Sequence, residues 1–368
     1  MKILVTGSEG FVGRHLVDRL SKINDIEIYR FTKECSLSVL NDYLKEIDGI
    51  YHLAGVNRPQ NEEEFQEGNV ELTKYIVDNL LKIDNKPWIV FSSSTQAELE
   101  NPYGQSKKQA EDVLLSYQFE TKAYVNIYRL PNLFGKWCKP NYNSVVATFC
   151  HNIARGKAIS IHNPERSLEL LYIDDLVEEF INLLHDGPNK KFYSKITGTY
   201  EITLQDLAEK INGFYNIRKN HIIPDLSDEF TKKLYATYLS FLEKNDFAYK
   251  LEMKRDNRGF LAEIVKSNEF GQIFISSTKE NVIRGNHYHH TKVEKFCVMR
   301  GEAEINFRDI YSESSFSYIV SGERLEVVDI PPGYTHNIKN VGPDEMLVLF
   351  WANEIFNPEK ADTFYLEV

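Results

Sequence analysis

"KILVTGSEGFVG", Lys2 to Gly13, decides the reading of the first half of the chain. A short apolar run ends at Thr6, glycines follow at Gly7, Gly10 and Gly13, and the helical pattern "FVGRHLVDRLSKI" starts at once. Glycines let a backbone come close to a pyrophosphate, and a helix N-terminus favours negative charge there. The strand–turn–helix context makes this a dinucleotide turn rather than an ordinary tight turn. Gly7, Gly10, Phe11, Val12 and Gly13 are its expected cofactor-binding residues.

Outward from this turn, "IEIYRF", "GIYHLAG", "PWIVFSSS" and "AYVNIYRL" are short apolar runs separated by helical stretches, the longest from Glu62 to Lys82. Such alternation predicts βα units on a Rossmann-type doubly wound parallel sheet, an α/β fold. At the end of the second run, where an acidic residue would bond the ribose 2′-hydroxyl of NAD, stands Arg30, with Lys33 close by. A guanidinium suits a 2′-phosphate, so NADPH is the expected cofactor. Further on, "FSSSTQAELENPYGQSKKQAE" puts Tyr103 and Lys107 four apart, on one helical face. A free tyrosine, of pKa ~10, is poorly matched to proton transfer at neutral pH, and a neighbouring ammonium lowers it. A strand-end serine can hold a substrate oxygen beside it, and Ser94 is preferred over Ser92 and Ser93 by its offset from Phe91.

These motifs resemble the extended short-chain dehydrogenase/reductases over roughly residues 1–245. The matching pieces are TGxxGxxG, "IYHLAG", Asn69, the Ser/Tyr/Lys set, "YRLPNLFG" and "ELLYIDDLV" with Asp174 and Asp175. The resemblance implies Tyr103 as general acid toward a carbonyl, Lys107 as its partner and Ser94 as the orienting donor. It implies that Leu53, Ala54, Gly55, Tyr103 and Lys107 meet the cofactor, and that Asn69, Arg129 and Asn132 meet a sugar nucleotide.

Length and composition agree with such an enzyme. At 368 residues the chain has room for about two domains. With 43 basic and 54 acidic residues its net charge is −11, against a nucleic-acid partner. No apolar run is long enough to span a bilayer, and no cleavable signal pattern precedes the first strand. Four scattered cysteines without a CxxC pair read as reduced thiols in a cytoplasmic protein.

From about Leu251 the period changes. "GFLAEIVKS", "GQIFISST", "KFCVMRGEAEINFR" and "EMLVLFWAN" are short strands broken by turn residues, with no helix between them, which predicts an all-β sandwich or barrel. The expected division is 1–248 for the nucleotide domain and 249–368 for the β domain. Within the latter, "RGNHYHHTKVEKF" supplies His287, His289 and Glu294, and "IPPGYTHNIKN" supplies His336. Three imidazoles and a carboxylate suit zinc, manganese, iron or nickel, zinc being the expected one. His290 is the alternative to His289 if the strand register differs. This spacing resembles the two signature motifs of the cupin superfamily, a double-stranded β-helix fold. The same stretches also look like metal-free deoxysugar epimerases, in which the matching residues would be His287 as base and Lys295 as enolate stabiliser. His287 is thus claimed for two jobs.

Runs such as "LAGVNRP", "PNLFGKWCKPNYNSV" and "LEVVDIPPGYTHNI" resemble bifunctional capsular polysaccharide enzymes through both halves. That resemblance implies a UDP-linked 2-acetamido-2,6-dideoxy-4-keto-hexose, epimerised at carbon 3 and then reduced at carbon 4 with NADPH, by a homodimer. A monofunctional reductase with a structural or regulatory β domain is the competing expectation.

Overall fold

Side-chain alternation along β1 (Lys2–Thr6) divides its residues between two cores. Leu4 joins Leu40, Leu44, Ile76, Leu80, Leu114 and Tyr117 on one side, from the helices α2 (Leu37–Leu44), α4 (Leu72–Lys82) and α5 (Pro102–Thr121). Ile3 and Val5 join Leu16, Leu20, Leu176 and Phe180 on the other, from α1 (Phe11–Leu20) and α7 (Ile173–Asp186). Between them lies a fully parallel sheet of order β2-β1-β3-β4-β5, with β2 (Glu27–Phe31), β3 (Gly49–His52), β4 (Trp88–Ser94) and β5 (Val125–Leu130). This is the doubly wound arrangement expected from the alternating pattern. A smaller sheet of β6 (Asn132–Phe134), β7 (Ser167–Tyr172) and β8 (Tyr200–Thr203) follows, and α6 (Val145–Ala154) lies between β6 and β7 in sequence. The computed structural model describes residues 1–83, 85–186 and 192–368. None of the described helices is long and apolar enough to cross a membrane, and the four cysteines are free.

The single long helix expected over Glu62–Lys82 is instead a short α3 (Glu63–Phe65), a π-helical turn over Gln66–Glu71, and α4. Wide turns of this kind cluster at functional sites. This one carries Asn69, whose amide bonds both backbone groups of Val56.

The chain forms two compact units, residues 1–211 with 233–242, and residues 212–232 with 243–368. Residues 212–232 belong with the second unit because a strand-like bridge ties His221 and Ile223 to Lys266. That unit is built from antiparallel strands: β9 (Met253–Asp256), β10 (Gly259–Ser267), β11 (Gly271–Thr278), β12 (Ile283–Tyr288), β13 (Glu294–Arg300), β14 (Glu302–Asp309), β15 (Ser315–Ser321), β16 (Val327–Ile330), β17 (Tyr334–Asn340), β18 (Met346–Ala352) and β19 (Phe364–Tyr365). They make two sheets, β16-β13-β18-β11-β10-β9 and β15-β14-β17-β12-β19. Phe296, Val298, Val348 and Phe350 from the first sheet pack with Ala303, Ile305, Phe307 and Ile338 from the second. This is the cupin-like sandwich. Its histidines and glutamate come from β12 and the residue just past it, from β13 and from β17.

Candidate active site and metal centre

Backbone contacts account for the glycine turn. Gly7 sits at φ +64°, its N–H donates to Phe31 O at 2.8 Å, and a Cβ there would lie 2.7 Å from Ala54 N. A Cβ at Gly13 would stand 2.1 Å from Gly7 O. Gly10 begins α1 without a side-chain cap, so the first-turn N–H groups have no side-chain partner. The Ser8 hydroxyl is buried there with no partner. Uncapped amides, a free hydroxyl and a close-packed turn fit a dinucleotide pyrophosphate. Phe11, Val12 and Leu53 are half-buried against the α1 core. Arg30 is exposed at the end of β2, next to the Phe31 carbonyl that receives Gly7, and its guanidinium has no ion pair among the described residues.

Behind the turn runs a buried relay. Thr6 Oγ1 accepts from the N–H groups of Leu53 and Ala54, both at 3.1 Å, and its hydroxyl donates to His52 Nδ1 at 2.8 Å. His52 Nε2 meets Thr73 Oγ1 at 2.9 Å, and Thr73 donates to Asn69 O. Burial drives the His52 pKa down to about 3, so the imidazole is neutral and bonded at both nitrogens. Asn69 completes the chain with its third bond, to Ser106 Oγ at 2.9 Å. Its amide thus ties the Val56 loop to α5.

On α5, Tyr103 is half-buried and the Ser94 hydroxyl faces it. Burial raises the tyrosine pKa, and the bond from Ser94 pulls against that rise. Ser93 turns the other way and donates to Glu111 Oε1 at 2.6 Å, while Ser92 reaches His52 O at 3.4 Å. Lys107, one turn on from Tyr103, is buried; its ammonium donates to Ser92 O at 3.0 Å and lies 4.9 Å from the Phe91 ring centre. Burial lowers its pKa to about 8, with Glu111 working in the opposite direction. A Cβ on Gly55 would be 3.0 Å from the Lys107 Nζ, so Gly55 gives the ammonium its room.

Two residues expected at a substrate behave differently from each other. Arg129 is consumed by a carboxylate: its Nε and Nη2 hold Glu111 at 3.0 and 2.7 Å, its Nη1 holds Glu98 at 2.6 Å, and the Tyr193 ring stacks at 4.5 Å. Glu111 is fully buried, and removing it from water requires this cation. Arg129 is thus the counter-ion of Glu111, with part of its side chain still exposed. Motif reasoning misses Glu111, although it follows Lys107 by four and Tyr103 by eight on the same helical face. Asn132, by contrast, lines a cavity of about 540 Å³ with Arg58, Tyr142, Ser144, Phe149 and Arg166.

In the second unit, His287, His289, Glu294 and His336 offer ligand atoms that all lie within 4.8 Å of one another. His289 Nδ1 bonds the Asp362 carbonyl and His336 Nδ1 lies 3.3 Å from the Tyr334 carbonyl. A carbonyl only accepts, so both Nδ1 atoms carry protons and the Nε2 atoms turn inward. They meet Glu294 Oε2 at 3.3 and 3.6 Å, and His336 Nε2 has no other partner. Lone pairs facing a carboxylate call for a cation between them, and the donor set suits zinc-like ions. Burial, and then His336, lower the His287 pKa to about 4, which leaves it neutral and able to ligate. Burial pushes the Glu294 carboxyl up, but the polar surroundings made by His289, His336 and the Lys292 ammonium hold it well below the usual range. His290 is exposed against Phe364 and stands outside the cluster.

Lys295 departs from its expected role. Successive side chains on a strand face opposite ways, and with Glu294 buried Lys295 is exposed and paired with Asp329. Lys292 is the lysine at the cluster, 3.0 Å from Glu294 Oε1 and buried.

The chain resembles known proteins over its full length. It is 42% identical over 368 residues to UDP-2-acetamido-2,6-beta-L-arabino-hexul-4-ose reductase of Pseudomonas aeruginosa, covering 100% of this chain and 99% of that one. The crystal structure of the capsular polysaccharide assembling protein CapF from Staphylococcus aureus superposes with a TM-score of 0.92 at 43% identity, covering both chains completely. A dTDP-D-glucose 4,6-dehydratase of Dictyostelium discoideum is 28% identical, over 57% of this chain and 61% of its own. Residues 254–364 match the polysaccharide biosynthesis C-terminal domain, and residues 3–194 match the NAD dependent epimerase/dehydratase family. The chain belongs to the NAD dependent epimerase/dehydratase family and joins that fold to a polysaccharide biosynthesis C-terminal domain.

Proposed function

We propose that this chain is a two-step nucleotide-sugar enzyme of capsular or surface polysaccharide synthesis. Its second unit epimerises carbon 3 of a UDP-2-acetamido-2,6-dideoxy-4-keto-hexose, and its first unit reduces the 4-keto group to a UDP-N-acetyl-6-deoxy-talosamine, a precursor of UDP-N-acetyl-L-fucosamine. The observation that carries the reading is the pairing, in one chain, of the Ser94–Tyr103–Lys107 set with the His/Glu cluster. The full-length likeness to a named 4-keto-sugar reductase supports it. A bound nicotinamide would supply the hydride. Tyr103, kept protonated by burial, donates a proton to the ketone oxygen; Ser94 orients that oxygen; Lys107 steadies the charge left on the phenol oxygen. Two guanidiniums, Arg58 and Arg166, and the Tyr142 ring in the cavity beside Asn132 suit a diphosphate and a base. A divalent ion, zinc by its donor set, would supply Lewis acidity toward a keto oxygen, with His287, His289, Glu294 and His336 holding it and the Lys292 ammonium beside them. With His287 as a ligand, the base at carbon 3 is a different residue. The active form we propose is a cytoplasmic homodimer.

Arg30 favours NADPH. Arg30→Ala is expected to lower kcat/KM for NADPH by roughly 10–100-fold, the loss of one or two charge-assisted bonds, and to leave NADH nearly unchanged. Equal losses with both cofactors in initial-rate assays would refute the 2′-phosphate assignment.

The epimerase step is tested without nicotinamide. The protein is incubated with the UDP-linked 4-keto sugar in deuterated water, and the ring protons are followed by NMR. Washout at carbon 3 is expected, lost in His287→Ala and kept in Tyr103→Phe. No exchange, alongside normal NADPH oxidation, would favour the monofunctional reductase.

A further inference from the structure

We propose that the segment Asp362–Leu366 is the positioning element of the His/Glu centre, setting which nitrogen of His289 faces the ion and holding the ligand-bearing turn in shape. This rests on the reading of that cluster as a metal centre. Three observations converge on it. First, the Asp362 backbone carbonyl receives His289 Nδ1. That bond fixes the proton on Nδ1 and leaves Nε2 as the donor atom. Second, the Asp362 carboxylate accepts the N–H of His290 at 3.0 and 3.1 Å, of Thr291 at 2.7 Å and of Lys292 at 2.8 Å, and the Thr291 hydroxyl at 3.0 Å. These bonds clamp residues 290–292 of the connection between the ligands His289 and Glu294. Third, β19 adds to the edge of β12, with Tyr365 opposite His287 and Phe364 opposite Tyr288. Leu366 N donates to Asn286 O at 3.0 Å, and Thr335, next to His336, donates its hydroxyl to Leu366 O.

One short segment is thus bonded to the neighbourhood of all four ligands. Without it, residues 290–292 would have to be ordered each time an ion binds, and ordering backbone is costly. An outer-shell partner of a ligating histidine typically carries 10–100-fold in metal affinity. Asp362 touches no reacting atom in this account and acts through His289.

The test uses the full chain stripped of metal, with Zn²⁺ titrated against a chromophoric chelator and Co²⁺ absorption reporting the ligand geometry. Asp362→Ala is expected to weaken Zn²⁺ by roughly 10–100-fold and to shift the cobalt bands. Both variants keep the backbone carbonyl that receives His289; Asp362→Asn also keeps one side-chain acceptor oxygen and is expected to fall between Asp362→Ala and the parent. Glu294→Gln, which alters a ligand, is expected to bind worst. Parent-like affinity and cobalt spectrum in a folded Asp362→Ala would overturn the proposal; if that variant does not fold, parent-like values in Asp362→Asn would do the same. A parent protein that takes up no Zn²⁺, indistinguishable from Glu294→Gln, would instead sink the metal reading and the positioning role with it.

Discussion

Tyr103→Phe is expected to lower the rate of ketone reduction by ~10²–10⁴-fold, the usual worth of a positioned proton donor. The substitution deletes one hydroxyl and keeps the ring that packs on Phe65, so the fold and NADPH binding should survive. Stopped-flow oxidation of NADPH with the 4-keto substrate measures the loss directly, and a decrease below tenfold would remove Tyr103 from the proton-donor role. A pH profile adds an independent check. Burial lowers the Lys107 pKa to about 8, so its ammonium is present below that pH and is lost above it. The neutral amine no longer steadies the phenolate that forms as Tyr103 gives up its proton. Reduction should therefore fall as pH rises through about 8, and Lys107→Met should abolish that limb along with most of the rate.

Glu294→Gln should abolish the carbon-3 exchange and lower Zn²⁺ affinity by more than ~100-fold, beyond what outer-shell changes produce. The amide keeps the shape and removes the charge that faces two Nε2 atoms and the Lys292 ammonium. Lys292 then stands buried without its partner, so the second unit should also lose stability. Reduction of an already epimerised substrate should stay within about twofold, because every residue of the reductase set belongs to the other compact unit. Exchange that persists in zinc-free Glu294→Gln would assign the epimerisation to groups other than this centre.

The dinucleotide turn is legible in the sequence because its determinants are local: strand, glycines and helix follow one another within a dozen residues. The Tyr103–Lys107 pair is legible for the same reason, as is the change from helical to strand period near Leu251. The four residues of the His/Glu cluster can be named from spacing because strand alternation turns side chains two apart to the same side. Strand period also contains the warning about Lys295, since a buried Glu294 requires its neighbour to face out.

Other assignments need the folded chain. Arg129 looks like a free cation in sequence, and only the packing of β5 against α5 brings it to the buried carboxylate of Glu111. Asn69 is claimed by Val56, thirteen residues away, through a π turn that hydrophobic periodicity reads as plain helix. Asp362 lies more than seventy residues from the turn it clamps. Local pattern determines which elements form and which faces they bury. The partners of buried charged and polar groups are chosen by long-range packing, because such a group must find its counterpart wherever the fold brings one within reach.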